Sequence, residues 1–290
     1  MINNGRRLHL QHGPIDLIIE ACGDNIACAY DAAITRFETL LQELVDELPQ
    51  LRSATAHIEG SLHGSVAKRM QRAAAQFPDK FTTPMIAVAG SVADEILQAM
   101  CDSTGLDKAC VNNGGDIAVY LAEGQTYKAG VVTNPKLADL PATITLSAGD
   151  GIGGIATSGR HGRSLSLGIA DSVTVTARNA SLADTAATLL ANAVNLANSE
   201  SVDRVPADEL DPDSDLAGAL ATVDVKPLSA NEIDMALDNG VAYANKLYNR
   251  QVISGAFLTL QGVSRTIRGA AANIAVPLAF GTDKRIYSNA

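Results

Sequence analysis

The sequence predicts an α+β fold, a single domain of mostly antiparallel sheet packed with buried helices. Three observations predict it. Short apolar segments bounded by glycine and asparagine turns dominate residues 108–177. Segments with apolar residues at helical spacing flank that block on both sides. No stretch has the composition of an interdomain linker, and no repeat or heptad runs along the chain, so residues 1–290 read as one core.

Residues 6–12 and 14–21 read as strands joined at Gly13-Pro14. Residues 25–48 read as an amphipathic helix, with Ile26, Tyr30, Ala33, Ile34, Phe37, Leu41, Leu44 and Val45 on its apolar face. A second helix, 65–77, sets Val66, Met70, Ala73 and Phe77 on one face. Lys68, Arg69 and Arg72 then form a solvated face, or a cationic one toward an anionic substrate. Thr83-Pro84 has the form of an N-cap and first helical proline, opening a largely buried helix over 85–100. Strands follow at 109–112, 117–121, 127–132, 142–146, 155–158 and 172–177, then a helix over 181–198 capped by Ser181. Residues 200–228, acidic and proline-containing at 200–216, read as a surface loop. Ser229-Ala230-Asn231-Glu232 is a capping box opening a helix to about residue 248. Strand 252–260 and a further extended segment close the fold.

The composition excludes several function classes. The net charge is −10, opposite in sign to a general nucleic-acid or anionic-membrane binder. Aromatic residues are 4% with no tryptophan, too few for a platform that stacks bases. No apolar stretch is long enough to span a bilayer, and no secretory h-region follows Arg6-Arg7, so the expectation is a cytoplasmic protein. Cys22, Cys28, Cys101 and Cys110 lack C-x-x-C spacing and read as reduced, mostly buried thiols. The abundance of alanine and glycine is compatible with a homodimer.

Three constellations can carry chemistry. Asn113-Gly114-Gly115-Asp116 lies between two apolar strands. Its glycines can present backbone N–H groups to a phosphate, carboxylate or carbonyl, although pattern alone favours a hairpin turn. Thr157-Ser158-Gly159-Arg160-His161 places hydroxyls and cations at a strand end, which suits an anion; a solvated glycine-rich loop is the plainer reading. The upstream Gly151-Ile152-Gly153 lacks dinucleotide-fingerprint spacing and precedes a strand, not a helix. In helix 181–198, Asp184, Thr188, Asn192 and Asn195 recur on one face of an apolar helix. A buried Asp184 needs a partner. A divalent cation with Thr188 as a second oxygen ligand would serve, and so would a capping box with Ser181. Asp211-Pro212-Asp213-Ser214-Asp215 has Leu216 and Thr222 where a calcium loop needs glycine and glutamate, so it reads as an acidic turn.

The order of these motifs resembles the ApbE-like superfamily of flavin transferases, which move FMN from FAD to a protein threonine. The matching stretches are Asn113-Gly114-Gly115-Asp116-Ile117, then Ile155-Ala156-Thr157-Ser158-Gly159, then Asp171-Ser172-Val173-Thr174-Val175 with Leu182-Ala183-Asp184-Thr185-Ala186-Ala187-Thr188. Pro84-Met85-Ile86-Ala87-Val88-Ala89-Gly90, Ser164–Asp171, Pro212-Asp213-Ser214-Asp215-Leu216 and Gly255-Ala256 are similar to a branch called uncharacterised protein family 0280. The resemblance implies Mg²⁺ on Asp184 and Thr188, with FAD as a possible ligand. It also implies that Asn113, Gly114 and Gly115 line the same pocket as Thr157, Ser158 and Gly159. By residue type and place, Arg160 is a further ligand-binding candidate and His161 or Asp116 the acid/base candidate. The transferases' His-x-x-Asp-Pro-x-x-Gly segment is absent between Gly162 and Asp171, so FMN transfer is not carried over. The expected function is an enzyme on a small anionic or nucleotide-like metabolite, Mg²⁺-assisted. The alternatives are a metal-independent hydrolase or isomerase, with Arg160 and Arg163 as anchors, and a non-catalytic flavin or metabolite binder.

Overall fold

The structure, a computed structural model, describes residues 7–58, 62–131, 142–216 and 218–268, with the backbone of 273–275 and 286–287. It begins with β1 (Arg7–His12), β2 (Ile15–Cys22), α1 (Ile26–Asp46), α2 (Leu48–Leu51), α3 (Ser65–Ala74) and α4 (Val88–Ser103). The strands β3 (Lys108–Asn113), β4 (Asp116–Leu121), β5 (Thr126–Val131), β6 (Ala142–Ser147), β7 (Gly154–Ser158) and β8 (Ser172–Ala177) follow. Then come α5 (Ala180–Ala193), β9 (Val202–Pro206), α6 (Ala207–Leu210), β10 (Leu220–Val225), α7 (Ala230–Asn249), β11 (Gly255–Leu260), β12 (Val263–Arg268), β13 (Asn273–Ala275) and β14 (Ile286–Tyr287). The mixture of helix with largely antiparallel strand is the α+β class expected.

The chain forms two compact units, neither of them a contiguous stretch. The first is residues 1–127, 147–156 and 177–185; the second is 128–146, 157–176 and 186–290. In the first, β1, β2, β3, β4 and the start of β7 pair antiparallel in that order. Leu17, Ile19, Leu40, Met70, Ile96, Met100 and Val111 are buried in its core. Helix α1 buries Tyr30, Ala33, Phe37, Leu40 and Leu44 at helical spacing, while Ile34 and Val45 remain exposed. Helix α4 is buried over most of its length, as its apolar sequence requires.

Arg69, read as one of three residues of a solvated or substrate-facing cationic face, is instead an internal ion-pair partner. Its Nε donates to Glu95 Oε2 at 2.9 Å, while Arg36 Nε and Ser65 Oγ donate to Glu95 Oε1. Burial alone would raise the Glu95 carboxyl. The bonds from Ser65, Arg69 and Arg36 outweigh it and hold the group below its ordinary value.

In the second unit, β11 pairs antiparallel with β8 and β12, and α7 packs on β11 and β12. The Ser229–Glu232 capping box that opens α7 is formed as read. A separate ladder runs β13, β6, β5.

Two expectations are corrected. The surface loop assigned to residues 200–228 contains a two-stranded antiparallel sheet, β9 with β10, linked by α6. Asp203 and Asp224 sit on exposed strand positions, Asp208 and Glu209 are exposed in α6, and Val202, Ala207, Ala221 and Val225 are buried. The thiols are free as expected, yet only Cys110 is buried and Cys22 is exposed. Asp211–Asp215 is a turn, with Asp211 accepting from the N–H groups of Asp213 and Ser214. Among the described residues, no helix is long and apolar enough to cross a membrane.

Candidate functional site

The residues singled out by sequence fall into two groups, one in each unit. Asn113, Gly114, Gly115, Asp116 and Asp184 belong to the first; Thr157, Ser158, Gly159, Arg160, His161 and Thr188 belong to the second.

In the first unit the β3–β4 connection is a two-residue hairpin. Asn113 pairs with Asp116, and Gly114 and Gly115 take φ of 67° and 115°, which only glycine adopts readily. The Gly115 N–H, a candidate anion donor, is already bonded to Asn112 Oδ1 at 2.8 Å. Asn113 is buried and faces inward. Its Nδ2 donates to Ala89 O at 3.1 Å, beside the start of α4.

That start of α4 is where Asp184 lies. The residue before the helix, Ala87, has no capping side chain. Asp184 supplies the cap from 94 residues away, its Oδ2 accepting from Gly90 N–H at 2.9 Å. The service is returned: Asp94, inside α4, accepts from Ala180 N–H and Ser181 N–H at the start of α5, each at 2.9 Å. The local cap of α5 is Asn179, whose Oδ1 accepts from Leu182 N–H at 3.0 Å. The Ser181–Asp184 capping box is therefore corrected: Ser181 N–H goes to Asp94 and Asp184 goes to α4. The two helix starts touch. A Cβ on Gly90 would lie 2.3 Å from Ala180 O, and one on Gly154 would lie 2.2 Å from Asn179 C. Gly154, from the glycine-rich stretch, thus makes room for α5.

Burial, and then the charge of Asp116, push the Asp184 carboxyl well above its ordinary value; Asp94 adds to the push, while Gly90 and Ala89 N–H groups oppose it. Burial likewise raises Asp94 against its bonds from Ser181 and Ala180. Three carboxylates thus share one electrostatic neighbourhood.

In the second unit Thr157 Oγ1 meets Thr174 Oγ1 at 2.9 Å, and Thr188 Oγ1 donates to Ser158 Oγ at 3.4 Å. Arg160 and His161 both lie against the Asp171 carboxylate, which the sequence reading had not singled out. The lower members of the polar stripe have a structural role. Asn192 Oδ1 accepts from Leu167 N–H at 3.0 Å, and Asn195 Nδ2 donates to Leu167 O at 2.9 Å. They hold the segment around Gly168, where a Cβ would lie 2.0 Å from Ala191 O.

A family model described as AbpE bacteria matches residues 1–266 of the 290-residue chain. The chain belongs to the ApbE-like superfamily, in its UPF0280 branch. A UPF0280 protein of Methanothrix thermoacetophila is 34% identical over 185 residues, 63% of this chain and 75% of the relative. One from Methanopyrus kandleri is 33% identical over 182 residues, 61% of this chain and 69% of the relative. With the Archaeoglobus fulgidus protein the match is 36% over 111 residues, and the chain spans only 44% of that relative's length. A solved structure of the flavin transferase ApbE from Vibrio cholerae is 14% identical, with a TM-score of 0.49 over 94% of this chain and 98% of that one.

Asp94, Asn179 and Asp171 are the residues that sequence reasoning missed. Asp94 carried a signal, a carboxylate within an otherwise apolar buried helix, which must find donors. Asn179 precedes the helix by one residue and is a preferred N-cap type.

Proposed function

We propose that the chain binds a small anionic or nucleotide-like metabolite together with Mg²⁺ and acts on it as an enzyme. The observation supporting this reading is Asp184, a buried carboxylate under the added charge of Asp116 and Asp94. Such a group takes up a proton or meets a cation. Asp184 and Asp116 would hold the ion. Among the described residues no three of His, Cys, Asp or Glu are grouped to hold a metal. Mg²⁺ needs few protein ligands, because it keeps several waters and completes its shell from a ligand's phosphate oxygens. When bound it would neutralise the charge of an anionic ligand. Asn113 fixes the β3–β4 turn, which Asp116 closes, against the residue at the start of α4.

FAD is the first ligand to test, since the transferases of this superfamily use it. Calorimetric titration with Mg²⁺, and then with FAD in its presence, should show binding that Asp184→Asn abolishes while the helical circular dichroism persists. Unchanged Mg²⁺ affinity in Asp184→Asn would remove the metal from the reading.

A metal-independent reading is favoured by one observation, that Asp184 is already hydrogen-bonded to the start of α4. In that case Asp184 is a structural cap, and Arg160 and Arg163 anchor the substrate of a hydrolase or isomerase. Mass spectrometry of the small molecules that copurify, with and without EDTA, separates the two: a ligand retained in EDTA selects the second. Intact FAD retained without turnover selects a binding protein.

A further inference from the structure

Both oxygens of the Asp171 carboxylate in the second unit are committed. Oδ1 accepts from Arg160 Nε at 2.9 Å and lies 2.8 Å from Arg160 Nη2, and His161 Nε2 lies 3.4 Å from the same oxygen. Oδ2 accepts from the Gln261 N–H, and the Asp171 N–H donates to Thr259 O at 2.9 Å. Gln261 holds φ of 43°, a left-handed conformation that costs a side-chain-bearing residue free energy. It is tied there at both ends of its amide: Oε1 accepts from Leu228 N–H at 2.9 Å and Nε2 donates to Lys226 O at 2.8 Å. On the opposite side Gly159, at φ of 150°, lies so close that a Cβ would sit 2.5 Å from Asp171 O. Arg160 N–H also donates to Ala170 O at 2.9 Å.

An exposed ion pair contributes little to stability and does not call for a strained turn behind it. Here the Arg160, His161 and Asp171 side chains are largely covered, at 20%, 25% and 15% exposure. The carboxylate holds the guanidinium by its Nε–Nη2 side and leaves the Nη1 edge of the fork unused by Asp171. We infer that Asp171 is a positioning residue, which fixes Arg160 and His161 side by side to receive a phosphoryl group of the ligand. A guanidinium fork and an imidazole held at fixed angles can meet separate oxygens of one tetrahedral dianion. The inference deepens the proposed function and rests on its anionic ligand, but not on its metal.

Sulfate is the probe, because it is a tetrahedral dianion like a phosphoryl group and keeps its double charge near neutral pH. It is titrated into the full chain in EDTA, with the Arg160 Nε–H and His161 ring resonances followed by NMR. Both should move in the wild type. Asp171→Asn should bind sulfate about tenfold more weakly, the loss expected when two side chains are no longer held in place. Charge alone predicts the reverse, since removing an anion beside Arg160 tightens binding of another anion. The Arg160 Nε–H resonance separates positioning from collapse. In Asp171→Asn without sulfate it should broaden as the guanidinium loses its anchor, while the backbone amides of β7 and β8 keep their shifts; local collapse would move those amides as well. Should Asp171→Asn not fold, Arg160→Lys keeps the charge without the fork and should also weaken sulfate. Equal or tighter sulfate binding in Asp171→Asn, full affinity in Arg160→Lys, or no wild-type movement at Arg160 overturns the inference. None of these outcomes touches Mg²⁺ binding at Asp184, which is measured separately.

Discussion

Asp94 and Asp184 do the same work for each other's helix, and both do it as buried carboxylates whose ionisation folding disfavours. For Asp94 the consequence for stability can be signed. Burial, its largest influence, raises the folded-state carboxyl above the unfolded one, so the native state binds that proton more tightly. The contribution is fully present below the unfolded value of about 3.9 and is lost as pH rises through the folded value. Glu95 runs the other way, because its pairing with Ser65, Arg69 and Arg36 is lost as pH falls. The difference between two proteins therefore isolates Asp94 together with the charge it places on Asp184. Asp94→Asn cannot ionise and offers one acceptor where two N–H groups need partners, so it should be less stable than wild type at acid pH. The gap should narrow as pH rises toward neutrality. Thermal melts of both proteins in EDTA across that range check it, and a gap that widens with pH contradicts the assignment.

At the scale of elements, the closest packing in the first unit lies where the start of α5 meets Gly90 of α4 and Gly154 of β7. A Cβ on Gly90 would meet the carbonyl oxygen, carbonyl carbon and amide nitrogen of the next helix start at 2.3, 2.5 and 2.8 Å, all backbone atoms that cannot rotate away. Gly90→Ala should cost about 2 kcal/mol or more by overpacking, although alanine is the better helix former. A lowered urea midpoint at unchanged slope measures it; an unchanged midpoint would mean that the helices separate freely. Local signals were legible at this scale. The stripe of α1 and the Ser229–Glu232 box of α7 depend on residues within a few turns of one another. What was not legible depends on distance along the chain. Asp184 and Gly90 are 94 residues apart, so the sequence presents only the nearby Ser181 as a partner. The β9–β10 pair was hidden for a different reason: acidic and proline residues outweigh the few buried apolar positions that make it a sheet. The three constellations singled out in the sequence are divided between the two units, and Asp171, which stands in the sequence only as part of a family-like stretch, gives no sign there that it ties Arg160 and His161 down.

At the scale of the whole molecule, the sequence contains no linker because neither unit is built from one stretch of chain. Residues 1–127 include β1 to β4 and the helices α1 to α4, enough apolar surface to suggest an independent domain. They lack 147–156 and 177–185, which complete the unit. Without these, β4 loses its pairing through Ile117 and Ala118 with Ile155 and Gly154. Helix α4 loses the Asp184 cap, and Asp94 keeps its apolar surroundings without the two N–H donors that satisfy it. An uncompensated buried carboxylate, an uncapped helix and an open strand edge each cost on the order of 1–3 kcal/mol, against a total domain stability of about 5–15 kcal/mol. A fragment of residues 1–127 should therefore lack a cooperative urea transition and expose its apolar core to a hydrophobic dye. Adding a peptide of residues 177–185 should restore nothing measurable unless 147–156 is also present, because the seat for Asn179 and Ala180 includes Gly154. A fragment that unfolds cooperatively near the midpoint of the full chain would show that α4 does not depend on its distant cap.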